Sequence, residues 1–398
     1  MRSLEELTIQ EKEELVRHIA QKKAGLIDLD WQEICEKYDL NISADTLRKA
    51  GVGIKLATDA NMLNDKPSTT VAQISGGYVE RQELRDLTRQ VSKLYRSESR
   101  SELLREAVLD AVNHLDPIRI NHCQTISERN DFGRTLVVAL GDFHYGADIH
   151  VTGLMGETLN EYNSKVFEER MERLLAEIRG IADKEQISQV RVFLVGDLID
   201  GMLRQSQLMR LEFGMVESTI RLSEYLSYWL AELADGLYVD VYATMGNHSE
   251  VRPLKSKNRE FEEENLEKII MWYLKARLDG EENIFVDAEC KRYTMVDVEG
   301  FKFLLLHGDG EKSVVDIAKD TVNLYGRSID YFVCGHKHKE QEWPSGNTND
   351  GHSVIIRVPS ICGVDRYAQS RGFGGKPGAT ALVIERDYGR RCVYPIKL

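Results

Sequence analysis

Apolar residues recur along this chain with two different periods, and the change of period divides it. From about Leu7 to Lys23, Leu7, Ile9, Leu15, Ile19 and Ala20 fall largely on one side of a helical wheel with charges opposite, which predicts an amphipathic helix. Asp30 can cap a second helix, Trp31 to Tyr38, and Ser43 a third, Ala44 to Ala50, stopped by Gly51. Residues from Ala60 to Gly77 are polar, contain Pro67 and read as a linker. A further helix is predicted from Tyr78 to about Val112. It sets Arg81, Arg85, Arg89 and Lys93 four residues apart, a basic stripe continued by Arg96 and Arg100. Glu83, Asp86, Glu98 and Glu102 dilute the stripe, so a solvated face is favoured over a phosphate track.

From Arg134 onward, strands and helices alternate, the signature of an α/β domain. Helices are predicted over Glu161 to Lys184, Gln205 to Leu233 and Arg259 to Leu278; Val166, Met171, Leu174, Leu175 and Ile178 give the first a core-packing face. Strands follow over Arg292 to Val298, Lys302 to Leu306, Ser353 to Val358, Thr380 to Glu385 and Cys392 to Ile396, so a second sheet is expected to pack on the first. Pro344 to Gly351 has turn chemistry and predicts a hairpin tip. Five apolar, strand-like runs lead into metal-capable side chains: Asp142 and His144, Asp197 and Asp200, Asn247 and His248, His307, and His336 and His338. Ligands of open α/β sheets gather outside the carboxyl ends of strands, so these five ends are expected to share one crevice.

Composition narrows the class. At 398 residues, 42% apolar and 29% charged, the chain is long enough for two domains or one large domain with an appendage. No run reaches membrane-spanning length and the amino terminus lacks a signal-peptide core, so no membrane contact is expected and the cytoplasm is the default compartment. Six scattered cysteines without a Cys-x-x-Cys pair argue against a disulfide framework and a zinc ribbon. The net charge of −13 excludes a uniformly basic nucleic-acid binder. Two stretches run the other way. Arg357 to Leu398 holds eight basic residues against three acids, net +5, and Arg252, Lys255, Lys257 and Arg259 stand together without an acid.

Asp, Asn and His without thiolates make a ligand set suited to Mn, Fe, Zn or Mg. Phosphate-ester hydrolysis often uses two such ions about 3.5–4 Å apart. A single carboxylate bridging them would set that spacing, and Asp197, at the centre of the series, is the natural candidate.

Taken together, Asp142-x-His144, Gly196-Asp197-x-x-Asp200, Gly246-Asn247-His248, His307 and Gly335-His336-x-His338 resemble the full ordered signature of the calcineurin-like metallophosphoesterases, on its SbcD-like nuclease side and with a phage-type architecture. The resemblance covers about Leu136 to His338. It implies a two-sheet sandwich flanked by helices, at 134–398; the residue pattern itself puts a linker and basic helix at 60–133 and a small all-α region at 1–59 before it. It implies that Asp142, His144 and His338 hold one divalent ion and Asn247, His307 and His336 the other, with Asp197 bridging. Mn is the expected metal, with Fe, Zn and Mg as alternatives. His248 is implied to be catalytic, oriented by Asp200, with a metal-bridging hydroxide as nucleophile. Ser249 departs from the pattern, standing where many relatives carry an acid.

The expected activity is that of a phosphodiesterase acting on DNA or RNA. It draws on Arg252, Lys255, Lys257, Arg366, Arg371 and Lys376 as substrate contacts, the last three expected in a glycine-rich loop, because a polyanion binds through many cations. The helix pair at 31–50 adds to it: the pair resembles a helix-turn-helix whose second helix carries Thr46, Arg48 and Lys49, although a plain helical hairpin fits equally well. The alternatives are a small-molecule phosphodiesterase or phosphomonoesterase, and a DNA-binding regulator with an inactive core. Self-association is compatible with the sequence, and no ATPase partner is assumed.

Overall fold

In the computed structural model, the described residues are 2–23, 27–48, 105–115, 133–201, 210–251, 262–310, 329–348, 351–372 and 374–398, with a few single positions between them. The chain forms two compact units, Met1–Leu94 and Tyr95–Leu398. In the first, α1 (Ile9–Lys23), α2 (Trp31–Lys37) and α3 (Ala44–Arg48) enclose Leu7, Leu15, Ile19, Ile34, Cys35, Tyr38, Leu40 and Leu47. Asp30 starts α2 with a capping box, its side chain accepting from Glu33 N while Glu33 reaches back to the Asp30 N–H. Ser43 Oγ accepts from Thr46 N at the start of α3, whose Arg48 is exposed and paired with Asp45 at 3.1 Å. Lys49, the linker and the basic stripe lie outside the described residues; residues 105–113 are helical.

The second unit is a sandwich of two sheets. Its strands are β1 (Arg134–Leu140), β2 (Ile149–Thr152), β3 (Thr158–Tyr162), β4 (Gln189–Leu194), β5 (Tyr238–Ala243), β6 (Ile284–Val286), β7 (Tyr293–Val298), β8 (Phe301–Leu306), β9 (Tyr331–Cys334), β10 (Gln341–Thr348), β11 (Gly351–Arg357), β12 (Gly378–Glu385) and β13 (Gly389–Lys397). Its helices are α4 (Ser164–Glu185), α5 (Met215–Leu233), α6 (Leu266–Arg277) and α7 (Arg366–Arg371). One sheet has the order β13-β12-β1-β4-β5-β6, with β1, β4, β5 and β6 parallel; the other is β10-β11-β9-β8-β7, with β8, β9 and β11 parallel. Strand alternation explains the layering. On β1, Leu136, Val138 and Leu140 face the core shared with α4, α5 and α6, while Val137 and Ala139 face the core between the sheets with Phe193, Phe303, Leu305 and Val333. Each fully buried side chain of this size stabilises the sandwich by about 1.5–3 kcal/mol over exposure. Among the described residues, no helix is long and apolar enough to cross a membrane.

Several boundaries differ from the expectation. Residues 210–214 are not helical: Leu211 bridges to Ala147, and α5 starts only after Gly214. Asn265 delays α6 because its side chain caps Glu267 N. The turn-like run from Pro344 to Thr348 belongs to β10, an edge strand with a bulge between Pro344 and Gly346, where a missing N–H is tolerated. Arg366 and Arg371, expected in a loop, stand on α7, capped by Asp365 and ended by Gly372 in the left-handed region.

Candidate metal centre and active site

β1, β4 and β5 of one sheet and β8 and β9 of the other run into the polar residues singled out above, and the structure brings these together. Main-chain bonds join neighbouring ends: Asp142 N donates to Gly196 O (3.0 Å) and His144 N to Asp197 O (3.0 Å), Gly335 N to His307 O (3.1 Å), and Cys362 N, beyond β11, to Asp142 O (3.2 Å). Five site residues, Asp142 (φ 50), His144 (φ 47), Asp197 (φ 53), His336 (φ 70) and His338 (φ 49), adopt left-handed backbone. Each such conformation costs on the order of 1–3 kcal/mol and persists only where the surroundings over-determine it. Close approach also fixes the glycine before Asn247: a Cβ on Gly246 would lie 2.0 Å from Asp197 N.

Asp142, Asp197 and His307 are the deepest of the group. Asp142 Oδ1 lies 4.0 Å from Nε2 of His144, 4.0 Å from Nε2 of His307 and 3.7 Å from Nε2 of His338. Asp197 belongs to two clusters of converging ligand atoms, one with His144 and His248 and one with His307 and His336. Its Oδ2 is 2.8 Å from His307 Nε2 and 3.9 Å from His144 Nε2. Asn247 shares a cleft wall with His307.

Tautomers follow from the outer ring of partners. His307 Nδ1 donates to Val195 O at 2.8 Å, His338 Nδ1 to Gly363 O at 3.1 Å, and His144 Nδ1 faces Asp200 Oδ1 at 3.4 Å. Each ring therefore presents Nε2 inward. The His144 and His338 Nε2 atoms are only 3.2 Å apart, close enough for one cation to take both. Two further buried atoms, Asp142 Oδ1 and Asn247 Oδ1, have no hydrogen-bond partner among the described residues. Orphaned acceptors converging with carboxylates and imidazoles fit a divalent-cation site of hard to borderline type.

The fields within the cluster are strong. Burial alone would lower the His144 imidazole, but the Asp200 contact and the charges of Asp197, Asp200 and Asp142 carry it up to about 9. His307 is likewise raised against burial by Asp197 and Asp142, while burial and the neighbouring His307 lower His336 to about 4. Asp197 stays well below the usual carboxylate range despite burial, because His307, His248 and His144 surround it.

His248 sits at the edge. Its N–H donates to Asp197 Oδ1 at 2.7 Å, its Nδ1 is 2.6 Å from Asp200 Oδ1, and its ring meets that of His144 edge-on at 4.4 Å. Asp200 remains ionised, since its contacts with His144 and His248 outweigh burial.

Four supports carried no sequence signal. Glu267 is fully buried and accepts from Leu198 N, Gly246 N and Ser249 Oγ. Burial and then the Asp197 charge push its carboxyl up to about 7, against the pull of those bonds. Asn265 Nδ2 donates to Gly246 O. Arg170 and Asn160 both hold the carbonyl of Cys362, beside Gly363 and His338. Of the expected substrate cations, Arg366, Arg371 and Lys376 are exposed, and Arg252, Lys255 and Lys257 lie outside the described residues.

A sandwich with this constellation at its strand ends defines a metallophosphoesterase. Residues 135–340 match the calcineurin-like phosphoesterase family, and the chain belongs to that family. It is 27% identical to the SPbeta prophage-derived uncharacterized protein YonJ of Bacillus subtilis strain 168 over 317 residues, 79% of this chain and 76% of the relative. Among solved structures it is similar to an archaeal phosphodiesterase (13% identity, 66% of this chain and 99% of the other, TM-score 0.34). Zinc-bound Vps29 from Entamoeba histolytica is another (12%, 66% and 99%, 0.29), as is the NAD nucleotidase of Haemophilus influenzae (12%, 67% and 50%, 0.31).

Proposed function

We propose that this metallophosphoesterase is a two-ion phosphodiesterase that cleaves nucleic acid. The observation that carries the two-ion reading is the position of Asp197, common to a His144 cluster and a His307–His336 cluster, with Asp142 Oδ1 and Asn247 Oδ1 unpartnered on either side. In this reading Asp142, His144 and His338 hold one ion, Asn247, His307 and His336 the other, and Asp197 both. Two bound divalent ions, Mn before Fe, Zn or Mg, supply a nucleophile from water at neutral pH and offset charge on the phosphoryl oxygens. The remaining work belongs to the chain. Asp200 holds His248 by Nδ1, leaving Nε2 to donate a proton to the leaving oxygen or to steady the phosphoryl group.

Support for a polymeric substrate comes from α7. The strand-end loop that carries Gly363, the partner of His338, runs directly into this helix, on which Arg366 and Arg371 are exposed, and Lys376 is exposed a few residues beyond it. Arg48 on α3 is the proposed contact of the first unit. Similarity to a prophage-derived protein over most of the chain is in keeping with a phage-type phosphoesterase. A second reading, a small phosphoester substrate, draws on the cleft that Asn247 and His307 share with Arg292 and Tyr293.

The discriminating experiment gives the protein Mn and labelled single- and double-stranded DNA and RNA, beside bis-p-nitrophenyl phosphate, over a salt series. Cleavage of a polynucleotide that weakens steeply with salt, while the small diester does not, is expected. Turnover of small phosphoesters alone overturns the nuclease reading.

A further inference from the structure

Glu267 lies on the first turn of α6, yet both of its carboxylate oxygens are spent on other segments. Oε1 accepts from Leu198 N (2.8 Å) and Ser249 Oγ (2.9 Å), and Oε2 from Gly246 N (2.6 Å). Leu198 follows Asp197 and Gly246 precedes Asn247, so one carboxylate joins the ends of β4 and β5 at the residues adjoining two candidate ligands. The same helix start grips Gly246 from its other side: Asn265 Nδ2 donates to Gly246 O at 2.9 Å while Asn265 Oδ1 caps Glu267 N at 2.9 Å. A buried carboxylate is tolerated only when its hydrogen bonds are complete, and a place in a helix's first turn favours its charge. Within the clamp the two loops approach so closely that Gly246 has no room for a Cβ.

We propose that Glu267 is a positioning residue that sets the separation of Asp197 and Asn247, so the ion held by Asn247, His307 and His336 depends on it more than the ion held by Asp142, His144 and His338. The inference rests on the two-ion reading given above. The contacts that orient the first set, Asp200 on His144, Gly363 on His338 and His336 N on Asp142, do not involve Glu267. In the second set His307 is oriented by Val195 O, but Asn247 follows Gly246 directly, and Gly246 N is held by Glu267.

Glu267→Gln isolates the effect with little change of volume. An amide has one oxygen where the carboxylate has two, so whichever way it turns, its NH2 faces the N–H of Leu198 or of Gly246, and one loop is released. Ser249→Ala removes the third bond and leaves both main-chain bonds intact.

The test is calorimetric Mn titration of the full chain, with electron paramagnetic resonance reading the coupled ion pair. Loss of an outer-ring partner of this kind weakens metal affinity by about 10–100-fold. Glu267→Gln is expected to weaken the second ion by that factor, to leave the first within roughly threefold, and to abolish the coupled signal at limiting Mn; Ser249→Ala is expected to behave as wild type. Should Glu267→Gln fail to fold, Glu267→Asp, a methylene too short to span both N–H groups, is expected to show the same split at smaller size. Two ions bound with wild-type affinity by Glu267→Gln, or both weakened equally, overturns the inference while the two-ion reading survives. A wild-type protein that takes up one ion only overturns both.

Discussion

Asp200 Oδ1 stands 2.6 Å from Nδ1 of His248, and the carboxylate is held ionised by the same two histidines it orients. This contact separates the chemistry of His248 from ion binding, since His248 is bound to the centre through its main chain as well. His248→Ala is therefore expected to keep both ions and lose about 10²–10⁴-fold in kcat, the range for a positioned proton donor. Loss of bound Mn in that variant, measured by elemental analysis after gel filtration, would make His248 a ligand instead.

Ion uptake is expected to expel protons. In the metal-free protein the His144 imidazole holds its proton up to about pH 9 and His307 is raised well beyond its ordinary value, whereas His336 is already neutral above about pH 4. A metal takes the unprotonated nitrogen, so these raised values oppose binding below them, and affinity is expected to rise with pH by about tenfold per unit for each proton displaced. Calorimetry in buffers of different ionisation enthalpy reads the number directly. Proton-neutral binding at pH 7 would contradict the arrangement.

Gly246→Ala tests how tightly the β4 and β5 ends are pressed together. Its methyl would fall 2.0 Å from Asp197 N, so the loops must part. We expect a loss of at least about 1–3 kcal/mol in metal-free unfolding, the ordinary cost of overpacking, together with weakened metal binding. An unchanged urea midpoint would show that the loops have slack.

Arg366→Ala and Arg371→Ala address the substrate. Neither residue touches the ligand set, so bis-p-nitrophenyl phosphate turnover is expected to remain as in wild type. With DNA, the KM is expected to rise and the salt slope to become shallower by about one for each phosphate contact removed. Equal effects on both substrates would place these arginines in folding and not in binding.

What the sequence disclosed was set by residue type and order. Asp142, His144, Asp197, Asn247, His307, His336 and His338 were legible because strand-like runs lead into them and because few other roles need that series. Glu267 was not, since an acid in the first turn of an amphipathic helix is ordinary until the fold brings Leu198 and Gly246 to it. Arg170 hid for the same reason: on the wheel of α4 it reads as a solvated charge, yet it is buried against the carbonyls of Ile361 and Cys362. Tertiary pairing likewise overrode the turn chemistry of Pro344 to Thr348, which β11 draws into a strand.

The candidate ligands come from both sheets, Asp142, Asp197 and Asn247 following strands of one, His307 and His336 strands of the other. Coordination across that seam would work as a cross-link, the task a disulfide performs elsewhere, in a chain whose described cysteines are all unpaired. Scarcity of metal would then do more than silence the centre: it would leave the two halves of the sandwich joined by side-chain packing and main-chain bonds alone, and chelator treatment should bring on proteolysis at that seam before the rest of the molecule yields.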